Sequence, residues 1–289
     1  MLLTVFVSLV IVVALSGITY GVASLFRHAN SAGDLTPVTN GAVPKTQPTV
    51  TNPPTPTLAD PFAGSPAESF ANGVAGIALP HAQRVQAFSA AQVRDAYRQT
   101  RRMLVAADLN MPTLLGGSPD AFARQLIPQQ QTYFDSHLDK IGESTRDWVT
   151  SFAPGSTQLV GHVIKVHGGM YATTGHNGSF QTLRINADYL FVYPVERPAQ
   201  PGTLMRIVAR VDVDVEFAPY TDPGGPLQPW WVVVGGGASG GRCDVNDGFI
   251  HPQFSDGPPD RVRPSGAPIN PYDLNNAPNG HGCQATTGT

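Results

Sequence analysis

Three acidic residues stand at every second position near the middle of the chain: Asp212, Asp214 and Glu216. Because side chains two residues apart on a β-strand lie on the same face, these carboxylates would be neighbours. A pair of carboxylates can carry out general acid–base chemistry. Arg206 and Arg210 fall on the same face, however, and opposite charges on neighbouring strands tend to pair. We therefore expect a salt-bridged outer face here rather than a catalytic pair.

Asp188 and His162 are the two candidates for a polar group inside a pocket. Asp188 falls on a predicted strand and would serve if its face is enclosed, but Arg184 and Asn186 on the same face favour an exposed polar surface. Arg184 is also the expected cross-strand partner of the acidic face. His162 and His167 have opposite parity on one predicted strand, so we do not expect them to bind a metal together.

The stretch Asp244-Val-Asn-Asp-Gly248 is similar to the start of a calcium loop, in which oxygen ligands alternate before a glycine. Ser255 stands where the closing bidentate acid should be, so we do not expect calcium. The sequence has no nucleotide-binding loop, zinc-protease motif or nucleophile–base set. We expect neither a cofactor nor a metal, and a non-enzymatic role is favoured over an enzymatic one.

The two cysteines, Cys243 and Cys283, both lie in Gly/Pro-rich chain. A disulfide is expected if the domain faces an oxidising compartment, and two unpaired thiols are the alternative. The bond would close a loop of about 40 residues and contribute ~3–4 kcal/mol in the chain-entropy model. The net charge of −3 gives no indication of a nucleic-acid partner.

The N-terminal segment 1–28 is predicted to be a single-pass transmembrane anchor. Residues 2–26 carry no charged side chain, and at ~1.5 Å per residue they can cross a ~30 Å hydrocarbon core. A cleaved signal peptide is the alternative, but no basic residue precedes the apolar run. Gly17 and Gly21 form a G-x-x-x-G pattern, which is a possible dimer contact between membrane helices or a chance occurrence.

The orientation of this anchor rests on conflicting signals. Arg27 follows the span and nothing basic precedes it, which favours a cytoplasmic C-terminal side. The cysteine pair and the Pro/Thr-rich residues 29–66, predicted to be an extended disordered linker, are typical of exported proteins. We expect the C-terminal domain to lie outside the cytoplasm. That domain is predicted over 67–235, followed by a Gly/Pro-rich tail over 236–289.

The predicted domain begins with two or three helices. Ser89 and Gln92 fit a capping box, and apolar residues then recur at spacings of three and four. Four arginines form a basic strip along this helix, which is either a solvated face or a grip for acidic lipid or an acidic partner: Arg94, Arg98, Arg101 and Arg102. A second helix is predicted from Ser118 to near Pro128, and a third over 129–141.

Four strands are predicted after the helices, over 157–172, 181–195, 203–217 and 229–234. The third alternates almost perfectly, with Met205, Ile207, Ala209, Val211, Val213, Val215 and Phe217 on one face. The short connections between them, including a turn over 175–178 and a loop over 197–202, indicate an antiparallel meander. The sequence therefore predicts an α+β domain.

This order of elements over 89–234 resembles the cystatin-like cone of the nuclear-transport-factor-2-like superfamily. With the anchor and linker, the chain also looks like the single-pass scaffold subunits of bacterial type IV secretion and conjugation machines. It is similar too to the anchored accessory proteins of mammalian-cell-entry lipid importers in high-GC bacteria. These resemblances imply helices packed on a curved four-stranded sheet and a non-enzymatic assembly role, with membrane-protein partners or self-association.

The same resemblance leaves an alternative open. A cone can bind a small ligand or a lipid, or it can be enzymatic, as in polyketide cyclases and ketosteroid isomerases, where a buried Asp or His works inside the pocket. The resemblance rests on the order and length of the elements, and no residue-level motif carries over to this chain.

Overall fold

The computed structural model describes residues 55–177, 180–220, 224–262, 264–275 and 284–287. The predicted anchor 1–28, with Gly17 and Gly21, lies outside these ranges, as do most of the predicted linker and Cys283. Within them, no helix is long and apolar enough to cross a membrane. The anchor, its dimer contact and the disulfide therefore stay predictions.

The helices of the described chain are α1 (Ala90–Asp108), α2 (Met111–Leu114), α3 (Asp120–Ala123) and α4 (Pro128–His137). The capping box is confirmed: the Gln92 backbone N–H donates to the Ser89 hydroxyl, and the Gln92 side chain accepts from the Ser89 backbone N–H at 2.9 Å. The predicted apolar stripe of α1 is buried throughout, in Val93, Ala96, Tyr97, Thr100, Met103, Leu104 and Ala107. This stripe packs α1 onto the sheet.

The second and third predicted helices are shorter than expected. The Ser118 hydroxyl donates to the carboxylate of Asp120 rather than capping a helix, and α3 forms a single turn. The C-terminal end of α4 is fixed by Thr145, whose hydroxyl donates to the Phe134 carbonyl at 2.6 Å. That bond takes up a carbonyl of the last helical turn, which helps to explain why α4 stops at His137 instead of continuing to 141.

Six strands form one antiparallel sheet: β1 (Ala71–Asn72), β2 (Gln158–Leu159), β3 (Lys165–Asn177), β4 (Phe180–Arg197), β5 (Gln200–Ala218) and β6 (Gln228–Ser239). The order is β1-β3-β4-β5-β6, with β2 paired to β4. The predicted α+β class and the antiparallel meander are confirmed. Two short strands add to the four predicted ones: β1, which was not predicted, pairs with β3, and β2, which lies within the predicted first strand, pairs with β4.

The strand ends differ from the prediction. The predicted loop over 197–202 is a two-residue connection, because Arg197 pairs with Gln200. The first predicted strand is interrupted at Gly161, which has φ of 71°, and so β2 and β3 are separate. The fourth strand was predicted to end at Val234, but β6 continues through three glycines to Ser239.

The two faces of the sheet are covered differently. On the inner face the side chains of Leu183, Ile185, Tyr189, Phe191 and their neighbours on β5 form the main core with the helices. On the outer face a smaller cluster buries Leu190, Val192 and Val208 beneath chain from both ends of the domain, namely Phe62, Ala67, Phe70, Tyr272 and Leu274. The folded part therefore begins before the predicted boundary at 67 and includes part of the predicted tail.

The described part of the predicted tail folds back onto the domain. The Ile250 N–H donates to the Ser151 carbonyl at 2.8 Å, and the Ile250 carbonyl accepts from Ala153 at 3.0 Å. Phe254 is buried and lies beneath the Arg197 guanidinium, 4.7 Å from the ring centroid. A second, parallel pair of strands, β7 (Ser265–Ile269) and β8 (Gln284–Thr286), completes the described elements.

Candidate functional site: an inner cavity beside Asp108

The acidic face predicted on β5 is an ion-pair network. Arg184 on β4 donates to Glu216 from Nε and Nη2, at 3.0 and 2.5 Å. Its Nη1 lies 3.6 Å from Asp214, which also accepts from the side-chain amide of Asn186. These contacts confirm the expected salt-bridged outer face. Asp214 and Glu216 serve cross-strand pairing rather than acid–base work.

Asp188 belongs to the same outer face. Arg210 holds it with two parallel hydrogen bonds, Nε to Oδ1 at 2.9 Å and Nη2 to Oδ2 at 2.7 Å. Its chain neighbours Ala187 and Tyr189 are buried in the inner core, so Asp188 points away from the helices. Asp212 lies opposite, and partial burial, followed by the charges of nearby carboxylates, raises the pKa of Asp212. Asp188 is thus a cross-strand partner of Arg210.

His162 lies apart from Asp188. It is exposed between β2 and β3, where it lines a surface depression of about 470 Å³ with Leu58 and Lys165. Asp188 instead pairs with Gly169 in the middle of β3. The described residues contain no group of three or more His, Cys, Asp or Glu side chains placed to hold a metal ion. The two pocket candidates therefore do not form one site.

The calcium-like stretch is held by contacts within the protein. Arg242 donates to Asp244 from Nε at 2.9 Å and from Nη2 at 2.6 Å. These bonds, with one from the backbone N–H of Arg261, lower the pKa of Asp244 to about 2. Asp247 accepts from the Phe249 N–H at 3.0 Å and contacts His251 Nε2 at 3.0 Å. Both carboxylates stabilise the fold of this loop.

A half-enclosed cavity of about 630 Å³ lies on the inner face of β5 and β6, beside the C-terminal end of α1. Its apolar wall includes Trp148, Val211, Val213, Val233, Phe249 and Ile250. Its polar wall includes Asp108, Asp147, Thr150, Arg242 and Asn246. An apolar space with a few polar groups is the usual character of a small-molecule site.

The cavity exists because β6 carries small residues where the helices end. Ala238 stands opposite Ala209, and the three positions Gly235–Gly237 present no side chain. Gly236 has φ of 131°, and a Cβ there would lie 2.4 Å from the Arg210 carbonyl oxygen. Only glycine fits that position. No large side chain therefore projects from β6 at this point, and the space between the sheet and the end of α1 stays unfilled.

Asp108 is the last residue of α1 and the buried titratable group of the cavity wall. The residue is 1% exposed. Thr150 Oγ1 donates to Oδ1 at 2.8 Å, whereas Oδ2 has no hydrogen-bond partner among the described residues. Burial raises the pKa of Asp108 to about 7, and the Thr150 hydrogen bond opposes part of that rise. Near neutral pH the carboxyl group is present in both protonation states, so it can donate or accept.

The surroundings fix Asp108 in place. The Tyr193 hydroxyl donates to the Asp108 backbone carbonyl at 2.9 Å, and the Thr150 N–H donates to the Ala107 carbonyl at 3.2 Å. These bonds satisfy carbonyls at the end of α1 that have no partner within the helix. The negative end of the helix dipole also disfavours an ionised carboxylate at this position. The geometry thus holds a carboxyl group rigidly at the edge of an apolar space.

Asp108 was not among the site residues predicted from the sequence. A signal was present, because Asp108 continues the buried series Thr100, Leu104 at a spacing of four. An acid on an apolar stripe, at the helix end where the dipole disfavours it, is an unusual placement. The cavity itself is lined by four separate segments of the chain, which no local pattern reveals.

The fold and site together define an α+β domain whose antiparallel sheet and helices flank a half-enclosed cavity with one buried carboxyl group. The sequence matches no family model, and comparison with curated proteins and with solved structures finds no match. The resemblance to the cone superfamily accordingly stays a prediction that rests on element order.

Proposed function

We propose that this domain binds a small, mainly apolar ligand in the inner cavity, with Asp108 as the group that orients it. The observation that carries the proposal is the buried carboxyl group of Asp108, whose Oδ2 has no hydrogen-bond partner among the described residues, in a residue that lines a cavity rich in valine and aromatic side chains. A buried polar atom without a partner costs roughly 1–3 kcal/mol, so a ligand that pairs with it recovers that free energy. The cavity volume of about 630 Å³ falls in the range of small-molecule sites.

The charges around the cavity favour a neutral or cationic ligand. Arg210 is engaged by Asp188, and Arg242 is engaged by Asp244. Among the described residues, Asp108 and Asp147 have no cation within salt-bridge distance. The groups free to interact are therefore acidic, and an anionic ligand would be repelled. A hydroxyl or an amine on an apolar body matches both the wall and Asp108.

Binding rather than catalysis is proposed because, among the described residues, no second acid or base lies within hydrogen-bond distance of the Asp108 carboxyl group. Thr150 is its only side-chain hydrogen-bond partner within the described ranges, and a threonine hydroxyl fixes the orientation of a carboxyl group without supplying a second acid or base. Acid–base chemistry at two positions of a substrate would need another titratable group at hydrogen-bond distance.

Two neighbouring valines of β6 provide a matched test. Val233 lines the cavity, whereas Val232 lies on the other face of the strand, and both are partly exposed. Nile red, a neutral apolar dye, should bind the wild type and show its fluorescence increase. Val233→Phe should weaken dye binding about tenfold or more by occupying the cavity, whereas Val232→Phe should leave it unchanged. Equal binding to both variants would contradict the proposal.

A second candidate function is the predicted assembly or accessory role, supported by the open edge of the sheet. Within the described residues, β6 pairs with β5 on one side alone. On its other side the Gln130 side chain caps Trp231, donating to its carbonyl at 2.7 Å and accepting from its N–H at 3.0 Å. Val233 lies two residues further along β6, so its backbone N–H and C=O also point away from β5. The residue is 42% exposed. An apolar edge of this kind can add a strand from another chain.

The assembly candidate is distinguished by a backbone variant at the same position. Val233→Pro removes the outward N–H and should abolish co-purification with membrane-protein partners or a second copy. Val233→Phe keeps that N–H, so it should block the cavity without preventing assembly. Loss of assembly in both variants, or in neither, would contradict edge pairing. The membrane location outside the cytoplasm continues to rest on the predictions for 1–28 and for Cys243 and Cys283.

A further inference from the structure

A second groove, of about 750 Å³, lies between α1, the chain that precedes it and α3, away from the inner cavity. Half of its lining is apolar: Val74, Leu79, Val105, Ala106, Leu109 and Ala121. Four arginines also line it, namely Arg98, Arg101, Arg102 and Arg124, and no acidic residue does. We call this feature the arginine groove.

Most of the positive charge in the arginine groove is unbalanced. Arg98 has a carboxylate partner, Asp95 at 3.3 Å. Arg101 donates to the Val74 carbonyl at 3.1 Å, and Arg102 donates to a glutamine side chain. Among the described residues, Arg101, Arg102 and Arg124 have no carboxylate within 4.0 Å. Clustered cations repel one another, and a bound anion would relieve that repulsion.

The remaining chain offers little to fill the arginine groove. The residues outside the described ranges contain two acidic side chains, Asp34 and Asp222, in separate stretches. Neither stretch combines several negative charges with apolar residues. The occupant that fits both the charge and the apolar lining is therefore a separate molecule.

We propose that the arginine groove binds an anionic phospholipid, whose phosphate pairs with the guanidinium groups while its acyl chains contact the apolar lining. Guanidinium groups match phosphate oxygens in bidentate geometry. An acidic peptide would pair with the arginines but would leave the apolar half of the groove without a matching surface. Thr55 is joined to the end of the predicted membrane span by a chain that reaches at most about 100 Å, so a bilayer is within range.

The test uses the full-length chain in mild detergent and native mass spectrometry. The protein is mixed with equal amounts of phosphatidylglycerol and phosphatidylcholine that carry the same acyl chains. Bound phosphatidylglycerol should exceed phosphatidylcholine about tenfold. The variant Arg102→Gln/Arg124→Gln should lose that preference. Arg94→Gln is the matched control, because Arg94 is exposed on the same helix, lies 3.8 Å from Asp95 and does not line the groove.

Three kinds of result would overturn the binding of an anionic phospholipid in the arginine groove. Equal retention of the two lipids by the wild type, or an equal loss in the Arg94→Gln control, would overturn the proposal. A poly-glutamate peptide that displaces phosphatidylglycerol and itself binds more tightly would assign the groove to an acidic protein partner instead. Inorganic phosphate that competes as strongly as the lipid would show that the apolar lining contributes nothing, which also overturns the proposal.

Discussion

The pH dependence of stability should reveal whether Asp108 is buried as the structure places it. Its pKa is raised to about 7, compared with 3.8 for an unperturbed aspartate, and the first cause is burial. Because the folded state binds the proton more tightly than the unfolded state, protonation stabilises the fold. This stabilisation is fully present below the pKa of Asp108 in the unfolded state, and it is lost as pH rises through its pKa in the folded state.

The magnitude follows from the size of the shift. Each pKa unit corresponds to about 1.4 kcal/mol, so a shift of roughly three units gives about 4 kcal/mol between pH 4 and pH 8. The side chain is buried, so solvent screening does not reduce this figure substantially. Asp108→Asn removes the titration while keeping the size and a hydrogen-bond donor. The free energy of unfolding of the wild type, relative to Asp108→Asn, should therefore fall by about 4 kcal/mol over that range.

The assay is urea unfolding of the full chain in mild detergent, followed by tryptophan fluorescence at several pH values. Trp231 is buried in the core and reports on global unfolding. The comparison with Asp108→Asn cancels the titration of the other carboxylates and histidines, which both proteins share. A wild-type free energy of unfolding, relative to Asp108→Asn, that stays constant with pH or that increases as pH rises would refute the burial of an uncompensated carboxyl group at this position.

Three further variants and one control test the β6 strand and its neighbours. Gly236→Ala should destabilise the fold by about 2 kcal/mol or more in urea unfolding, because the φ of 131° at Gly236 and the nearby Arg210 carbonyl exclude a Cβ. The control Gly235→Ala should change the free energy of unfolding by less than about 0.5 kcal/mol. Gln130→Ala should cost about 2 kcal/mol by the same assay, because both buried backbone groups of Trp231 lose their partner. Arg210→Lys should cost about 1 kcal/mol in thermal unfolding and show less salt dependence, because lysine cannot reproduce the two parallel bonds to its carboxylate.

The long elements could be predicted because their sequence signals are local. The period of two in β5 separates the buried Val213, Val215 and Phe217 from the charged face, and the structure shows that division. The capping box at Ser89 fixes the start of α1 within the same few residues. Register and charge pairing then follow, since Arg184 reaches Glu216 directly across the strand pair.

The coverage of the outer face could not be predicted, because it joins segments far apart in the chain. Phe62 stands in a Pro-rich stretch and Tyr272 in a Gly/Pro-rich one, and neither stretch shows a period. Both nevertheless lie at the same outer cluster over Leu190. Single aromatic residues in such chain carry no periodic signal, although each can bury a large apolar surface.

The candidate site could not be predicted either, because it too is assembled from segments far apart in the chain. The glycine run in β6 resembled the end of the strand, because glycine weakens strand propensity. In the structure the strand continues, and those glycines create the cavity floor opposite Asp108. A glycine run that by itself predicts a loop is therefore part of a site that forms only when distant segments pack together.

The most direct test of the account is to identify what occupies the inner cavity. Full-length wild type, Val233→Phe and Val232→Phe would be extracted in mild detergent from the cells that produce them and compared by native mass spectrometry. We expect the wild type and Val232→Phe to carry the same small-molecule adduct, neutral or cationic when released, and Val233→Phe to lack it. Absence of any adduct that Val233→Phe loses and Val232→Phe keeps would contradict ligand binding beside Asp108, as would such an adduct that is anionic. An anionic phospholipid carried equally by all three proteins would belong to the arginine groove, which neither valine lines.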